Sequence, residues 1–182
     1  MFDVDTLLAD CMAARSEENS LHAIKEVLER AVAPDSGIAD ALPPARAGIT
    51  SLLVSPELTV LNVVWAPGMT LYPHDHRMWA SIGIYTGGED NTLYRRTPTG
   101  LQESGFKELR PRDVFLLGDD AIHQVHNPTA HFAGAIHVYG GDFFAQPRSE
   151  WDPETLEERP YSVERALQQF EEQNRRFTPN SP

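Results

Sequence analysis

The sequence is poor in cysteine, because Cys11 is the only cysteine among its 182 residues. A single thiol excludes an intramolecular disulfide and a metal cluster held by several thiolates. Cys11 falls on the apolar stripe of a predicted helix, where a small buried hydrophobic residue is expected rather than a reactive thiol. This cysteine usage favours a cytoplasmic setting.

The chain also lacks long apolar runs and an excess of positive charge. No apolar stretch approaches the roughly 20 residues that a membrane-spanning helix needs. Residues 1–5 are acidic and lack the basic region that begins a signal peptide. The formal net charge of −12 disfavours nucleic acid and anionic membrane surfaces as partners. The net charge does not exclude a small anionic substrate, because the charge near the binding site decides whether one binds.

Three regions follow one another along the chain, whose length suits one domain with an ample core. Residues 1–48 are predicted to be a helical segment followed by a proline-rich connector. Residues 49–145 are predicted to form a β-barrel. Residues 146–182 are predicted to be a C-terminal extension with one short helical turn at Asp152 and a final helix from Val163 to about Arg175.

Short β-rich runs fill the middle of the chain at roughly ten-residue spacing, with no predicted helix between them. Turn residues separate these runs, for example at 87–91, and the pattern is typical of an antiparallel barrel or sandwich. The nine predicted strands are Ile49–Val54, Leu58–Trp65, Leu71–His76, Trp79–Tyr85, Thr92–Arg96, Gly105–Leu109, Asp113–Leu117, His123–His126 and Phe132–Tyr139.

Histidines at alternate positions indicate a metal site. His74 and His76 follow a β-rich run, and a strand places residues i and i+2 on one face. Imidazole nitrogen is a good ligand for iron, zinc, copper and nickel, although two surface histidines flanking Asp75 are the alternative. His123 follows a strand and a tight turn and is the preferred third ligand. His126 competes with it, but strand alternation would turn that ring to the opposite face.

The spacing of these histidines resembles the cupin motifs. Gly68, His74 and His76, with a glycine at 87 or 88, resemble the first motif, and His123 followed by Asn127 resembles the end of the second. The resemblance implies an all-β fold, a cupin-type double-stranded β-helix (jelly-roll) barrel, here with N-terminal helices and a C-terminal helix. It also implies that His74, His76 and His123 hold a metal inside the barrel.

One departure from the cupin pattern narrows the resemblance. Many cupins place a glutamate four or five residues after the second histidine, where this chain has Ala80 and Ser81. Three histidines without a carboxylate resemble the cysteine dioxygenase (thiol dioxygenase) family, which holds Fe(II) in this way. Residues 135–139 resemble the Ser-x-His-x-Tyr segment of that family, which implies catalytic roles for His137 and Tyr139. A barrel strand with a core histidine and a rim tyrosine is the alternative.

Other departures bear on the substrate. The serine of that segment is Ala135, and Ser81 stands where some members have a cysteine cross-linked to the tyrosine. Members that bind an amino-acid carboxylate use an arginine on an early strand, but residues 49–65 contain neither arginine nor lysine. Free L-cysteine is therefore not the expected substrate. Charge for an acidic substrate is expected from one of three arginines, Arg77, Arg95 or Arg96.

The resemblance implies a metal-dependent oxidoreductase of the non-haem Fe(II) thiol dioxygenase kind. Such an enzyme takes a small-molecule thiol and O2 as its partners and forms a sulfinate. Zn, Ni, Mn and Cu are alternative metals, because imidazole sites bind them readily. Two other functions stay open: a three-histidine cupin of another reaction type (a carbon-cleaving dioxygenase, isomerase or lyase), and a non-catalytic module that binds a small ligand. Such barrels often pair through an exposed sheet face, so a homodimer is one expectation.

Overall fold

The β-rich middle of the chain folds into two antiparallel sheets in a computed structural model that describes residues 2–177. Helices precede and follow the sheets. None of the described helices is long and apolar enough to cross a membrane. In chain order the elements are α1 (Val4–Arg15), α2 (Ser20–Ala31), α3 (Ile38–Ala41), β1 (Gly48–Val54), β2 (Thr59–Trp65), β3 (Thr70–Asp75), β4 (Ala80–Thr86), β5 (Glu89–Thr97), β6 (Gly100–Leu109), β7 (Val114–Leu117), β8 (Ile122–His126), β9 (Ala133–Tyr139), β10 (Ser149–Trp151), β11 (Glu158–Pro160) and α4 (Val163–Phe177).

The strand order is that of a double-stranded β-helix. One sheet has the order β1-β2-β9-β4-β7 and the other has the order β11-β10-β3-β8-β5-β6, with neighbouring strands antiparallel throughout. Strands distant in sequence thereby become neighbours, since β9 lies between β2 and β4 and β8 lies between β3 and β5. This pairing confirms the predicted jelly-roll barrel with helices at both ends.

All nine predicted strands are present, and two predictions about their surroundings need correction. Residues 89–91 belong to β5 rather than to a turn, because they pair with residues of β6. The turn at Asp152 is present, closed by the Leu156 N–H that donates to the Asp152 carbonyl over 2.9 Å, but it joins two unpredicted strands, β10 and β11. Each has three residues and no apolar alternation, and β10 is held by pairing Glu150 with His74. The boundary at residue 145 stays a prediction.

Strand β9 shows how alternation separates the core into two clusters. Ile136 and Val138 face outward and pack with the N-terminal helices, while Ala135 and Tyr139 face the barrel interior. Helix α2 lies close to β4 because Gly83 has no side chain, and a Cβ there would meet the Val32 Cγ1 at 3.1 Å. The N-terminal helices therefore cover the outside of one sheet and leave the barrel interior to the site.

Helix α4 packs over the barrel beside β1 and β2. The Ser162 Oγ accepts a hydrogen bond from the Arg165 N–H over 3.1 Å and caps the helix, as the sequence predicted. Phe170 is 2% exposed and its ring stacks on Trp65 at 5.1 Å between centroids. The predicted apolar stripe is incomplete, because Leu167 is 46% exposed.

Candidate metal centre

The three predicted histidine ligands converge inside the barrel. His74 on β3 is the register partner of His123 on β8, and His76 follows directly after β3. One ring nitrogen of each residue lies within 4.8 Å of the others, and the Nε2 atoms of His76 and His123 are 3.2 Å apart. Two nitrogens bound at about 2.1 Å to one ion with ordinary angles lie about 3.0–3.4 Å apart, so this spacing fits a shared metal.

Hydrogen bonds orient two of the three rings. The His74 Nδ1 donates to the Tyr72 carbonyl over 3.0 Å, and the His123 Nδ1 donates to the Asn91 Oδ1 over 2.6 Å. Each bond assigns the proton to Nδ1 and leaves Nε2 free as a ligand atom. His76 has a buried Nδ1 without a hydrogen-bond partner in the described part of the chain. His126 instead contacts Thr70 over 2.9 Å and lies outside the group formed by the three rings.

Burial keeps the three rings neutral near pH 7. Desolvation lowers the pKa of His74 to about 4. It lowers the pKa values of His76 and His123 well below the ordinary value, and the neighbouring histidines add to this effect. Neutral imidazole is the form that binds metal, so no proton has to leave before an ion enters.

His137 and Tyr139 lie side by side on β9, as the strand period predicted. The Tyr139 hydroxyl and the His137 Nδ1 are 3.1 Å apart. The Tyr139 ring meets the His76 ring edge-on, with 4.9 Å between centroids. Burial raises the pKa of the Tyr139 hydroxyl above its ordinary value, so the phenol keeps its proton.

A small, partly open cavity adjoins these side chains. Its free space for the centres of water-sized molecules is about 20 Å³, which is little more than the roughly 10–15 Å³ that one water needs. Among the described residues that line it there is no aspartate or glutamate. The lining is Ile49, Leu61, Val63, Trp65, Leu71, His74, His123, Val125, His137, Tyr139, Phe143 and Tyr161.

Arg148 brings a positive charge to the wall of this cavity, and no motif in the sequence pointed to this residue. Its guanidinium lies 3.9 Å from the ring centroid of Phe143 and 4.0 Å from that of Tyr161, and both rings line the cavity. Arg148 is 8% exposed, and its Nη1 donates to the Phe143 carbonyl. Its Nε and Nη2 atoms have no hydrogen-bond partner among residues 2–177. The residue was missed because it lies in the polar stretch after the barrel strands.

The three arginines proposed from the sequence lie elsewhere. Arg77 and Arg96 both pair with Asp75, at 2.7 Å and 3.2 Å, and Arg96 also pairs with Glu158. Arg95 donates to the Gln102 Oε1 over 2.9 Å. None of the three lines the cavity beside the histidines. These contacts lie away from the cavity, and Arg148 is the arginine against its wall.

Glu89 is a second residue that the sequence did not single out. It is fully buried, and its Oε2 accepts from the Trp65 Nε1 over 2.9 Å while its Oε1 accepts from the Asn91 Nδ2 over 3.1 Å. The His137 Nε2 lies 3.3 Å from the Glu89 Oε2. Burial raises the pKa of Glu89, but the neighbouring His137 imidazole and the donated hydrogen bonds outweigh it and hold that pKa below its ordinary value. A negative charge is therefore retained behind the histidines.

No protein-family model matches the sequence. Solved structures with a similar fold include the protein BH2720 of Bacillus halodurans, which is 16% identical with a TM-score of 0.50 over 57% of this chain and 77% of that one. A cupin family protein of Methanocaldococcus jannaschii with a double-stranded β-helix fold is 10% identical, with a TM-score of 0.45 over 53% of this chain and 82% of that one.

An oxalate oxidase in complex with glycolate is 16% identical, with a TM-score of 0.45 over 54% of this chain. This chain spans about half of the oxalate oxidase chain, 53% of its length. Sequence identities this low support a similarity of fold and nothing more. The chain thus has the double-stranded β-helix fold that cupins share, and its barrel holds a buried three-histidine site suited to a metal ion.

Proposed function

We propose that this protein is a non-haem Fe(II) enzyme that adds O2 to a small thiol, with His74, His76 and His123 as the metal ligands. The observation that carries the proposal is the convergence of three neutral imidazoles beside a cavity that Tyr139 lines, with one ring nitrogen of each within 4.8 Å of the others. The site is buried, so water is largely excluded from the reacting groups.

The donor set fits a divalent transition metal. Three imidazole nitrogens occupy one side of an ion and leave positions for substrate, and the group found here contains no carboxylate or thiolate ligand. When bound, Fe(II) would take the substrate sulfur as a thiolate and supply the redox chemistry by which a thiol and O2 become a sulfinic acid, RSH + O2 → RSO2H. Zinc, nickel, manganese or copper would fit the same nitrogens.

The charges around the cavity favour a substrate with a carboxylate and without an amino group. The Nε and Nη2 atoms of Arg148 lack hydrogen-bond partners in residues 2–177, and a guanidinium binds a carboxylate well. No acidic side chain lines the described cavity, so a substrate ammonium would be buried without a partner there. The substrate proposed is therefore a small mercaptocarboxylate.

Tyr139 would act as a hydrogen-bond donor to the substrates. Its hydroxyl stays protonated because burial raises its pKa, and its contact with the His137 Nδ1 fixes its direction. Such a hydroxyl can hold a polar atom of the substrate in place.

The proposal is tested by metal content and oxygen uptake. Protein made in iron-replete cells is purified without chelators and assayed with 3-mercaptopropionate, L-cysteine and 2-mercaptoethanol. We expect near-stoichiometric iron, with one O2 consumed per sulfinate and fastest turnover of 3-mercaptopropionate. Bound metal without sulfinate from any thiol would contradict the reaction and favour another three-histidine chemistry. Protein without metal above trace would favour a module that binds a small ligand.

A further inference from the structure

We propose that Glu89 is a positioning residue that holds two parts of the site from behind, the His123 ligand and the Tyr139 hydroxyl. Glu89 is not one of the three histidine ligands and does not line the cavity. It lies at the junction of two short chains of polar contacts, one leading to each group. The part of this inference that concerns reaction rate rests on the proposed function, whereas the part that concerns metal binding does not.

The first chain runs through Asn91 to His123. The Glu89 Oε1 accepts from the Asn91 Nδ2 over 3.1 Å, and the Asn91 Oδ1 accepts from the His123 Nδ1 over 2.6 Å. The carboxylate charge thus reaches the imidazole through one amide. A carboxylate behind a ligating histidine fixes the orientation of the ring and strengthens its ligand nitrogen.

The second chain runs through His137 to Tyr139. The Glu89 Oε2 lies 3.3 Å from the His137 Nε2, and the His137 Nδ1 lies 3.1 Å from the Tyr139 hydroxyl. The His137 Nε2 has no hydrogen-bond partner among the described residues, so its contact with Glu89 is electrostatic rather than a hydrogen bond. The His137 ring is thereby held with its Nδ1 beside the Tyr139 hydroxyl oxygen, and the tyrosine ring is held where it meets His76.

The contacts require a carboxylate rather than an amide at position 89. Asn91 donates to one oxygen and Trp65 donates to the other, so both oxygens act as acceptors. A glutamine offers one acceptor oxygen and one NH2 group, and the NH2 group would face a donor on one side. Glu89→Gln therefore keeps the size of the side chain and removes one of its contacts together with the charge.

The part of the inference that concerns metal binding, called the metal arm, is tested by titrating Co²⁺ into the metal-free protein and its variants. Asp90→Asn is the matched control, because Asp90 neighbours Glu89 but pairs with Arg110. We expect Glu89→Gln and Asn91→Ala each to weaken Co²⁺ binding by about tenfold. The double variant should be no more than about twofold weaker than Glu89→Gln, since both changes cut one chain. Unchanged affinity in Glu89→Gln, or additive losses in the double variant, would overturn the metal arm.

The part of the inference that concerns reaction rate, called the rate arm, is tested at saturating iron with the thiol that gives the highest turnover. We expect Glu89→Gln and Tyr139→Phe each to lower kcat by about 10- to 100-fold with KM little changed. The double variant should be no slower than Tyr139→Phe, because saturating iron offsets the loss of metal affinity through His123 and leaves the Tyr139 hydroxyl as the shared route. A multiplied loss in the double variant would overturn this arm. A purely structural role would lower the unfolding temperature without these two patterns of non-additivity.

A second pair of variants keeps the test decisive if Glu89→Gln does not fold. Asn91→Ala cuts the first chain and His137→Gln cuts the second, and both retain Glu89. We expect the former to lose Co²⁺ affinity and the latter to lose kcat at unchanged Co²⁺ affinity. Full Co²⁺ affinity in Asn91→Ala would overturn the metal arm even if the protein oxidised no thiol at all.

Discussion

Removal of the metal should make the folded protein sensitive to mild acid, and His74 allows the size of this effect to be worked out. Burial holds the pKa of His74 at about 4 in the folded protein. An exposed histidine in the unfolded chain titrates near 6.5. Between these two values the unfolded chain binds a proton that the folded protein does not. The free energy of unfolding therefore falls as the pH falls.

The magnitude follows from the gap between the two pKa values. At about 1.4 kcal/mol per pH unit, a folded pKa of about 4 against about 6.5 corresponds to roughly 3 kcal/mol from His74 alone. This stability is fully present above pH 6.5 and is lost progressively as the pH falls towards 4. His76 and His123 act in the same direction, since burial also lowers their pKa values.

Urea unfolding of the metal-free protein at several pH values between 7.5 and 4.5 measures the effect. The comparison variant is His74→Gln, which keeps a polar side chain of similar length and removes the titrating group. We expect the free energy of unfolding of the unmodified protein to fall roughly 2–3 kcal/mol further over this range than that of the variant. Equal pH dependence in the two proteins would refute the claim that His74 is buried in its neutral form.

Three further substitutions test other parts of the site and fold. His123→Ala should lose most of the bound metal, because it removes one of three ligands, and metal analysis of the purified variant checks this. Arg148→Gln should raise KM for 3-mercaptopropionate by about tenfold or more while changing KM for 2-mercaptoethanol little; equal changes would show that no carboxylate is held there. Phe170→Ala should lower the free energy of unfolding by about 3–5 kcal/mol in urea, since a fully buried ring stacked on Trp65 is removed.

Local sequence patterns predicted most of the barrel strands and the faces on which the histidines lie. Alternation along a strand is a local property, so the runs that became β2 and β9 were visible, and so were the shared faces of His74 with His76 and of His137 with Tyr139. The preference for His123 over His126 needed only the parity of one strand, and in the structure His123 lies with His74 and His76 while His126 contacts Thr70.

Long-range contacts explain what the sequence could not show. Glu89 stood in a stretch of glycine and acidic residues that reads as a turn, and only its pairing with β6 and its burial distinguish it. Arg148 lies in a polar stretch, and its position depends on stacking between Phe143 and Tyr161. Strand β10 exists because β3 offers it a free edge, which no local pattern in residues 149–151 records.

Trp65 connects helix α4 with the polar groups behind the metal ligands. One face of its indole stacks on Phe170 of α4, while its Nε1 donates to Glu89. The emission of this indole should therefore respond both to changes at the metal site and to displacement of the helix. With only three tryptophans in the sequence, replacing Trp79 and Trp151 by phenylalanine would make Trp65 an internal optical reporter of both events.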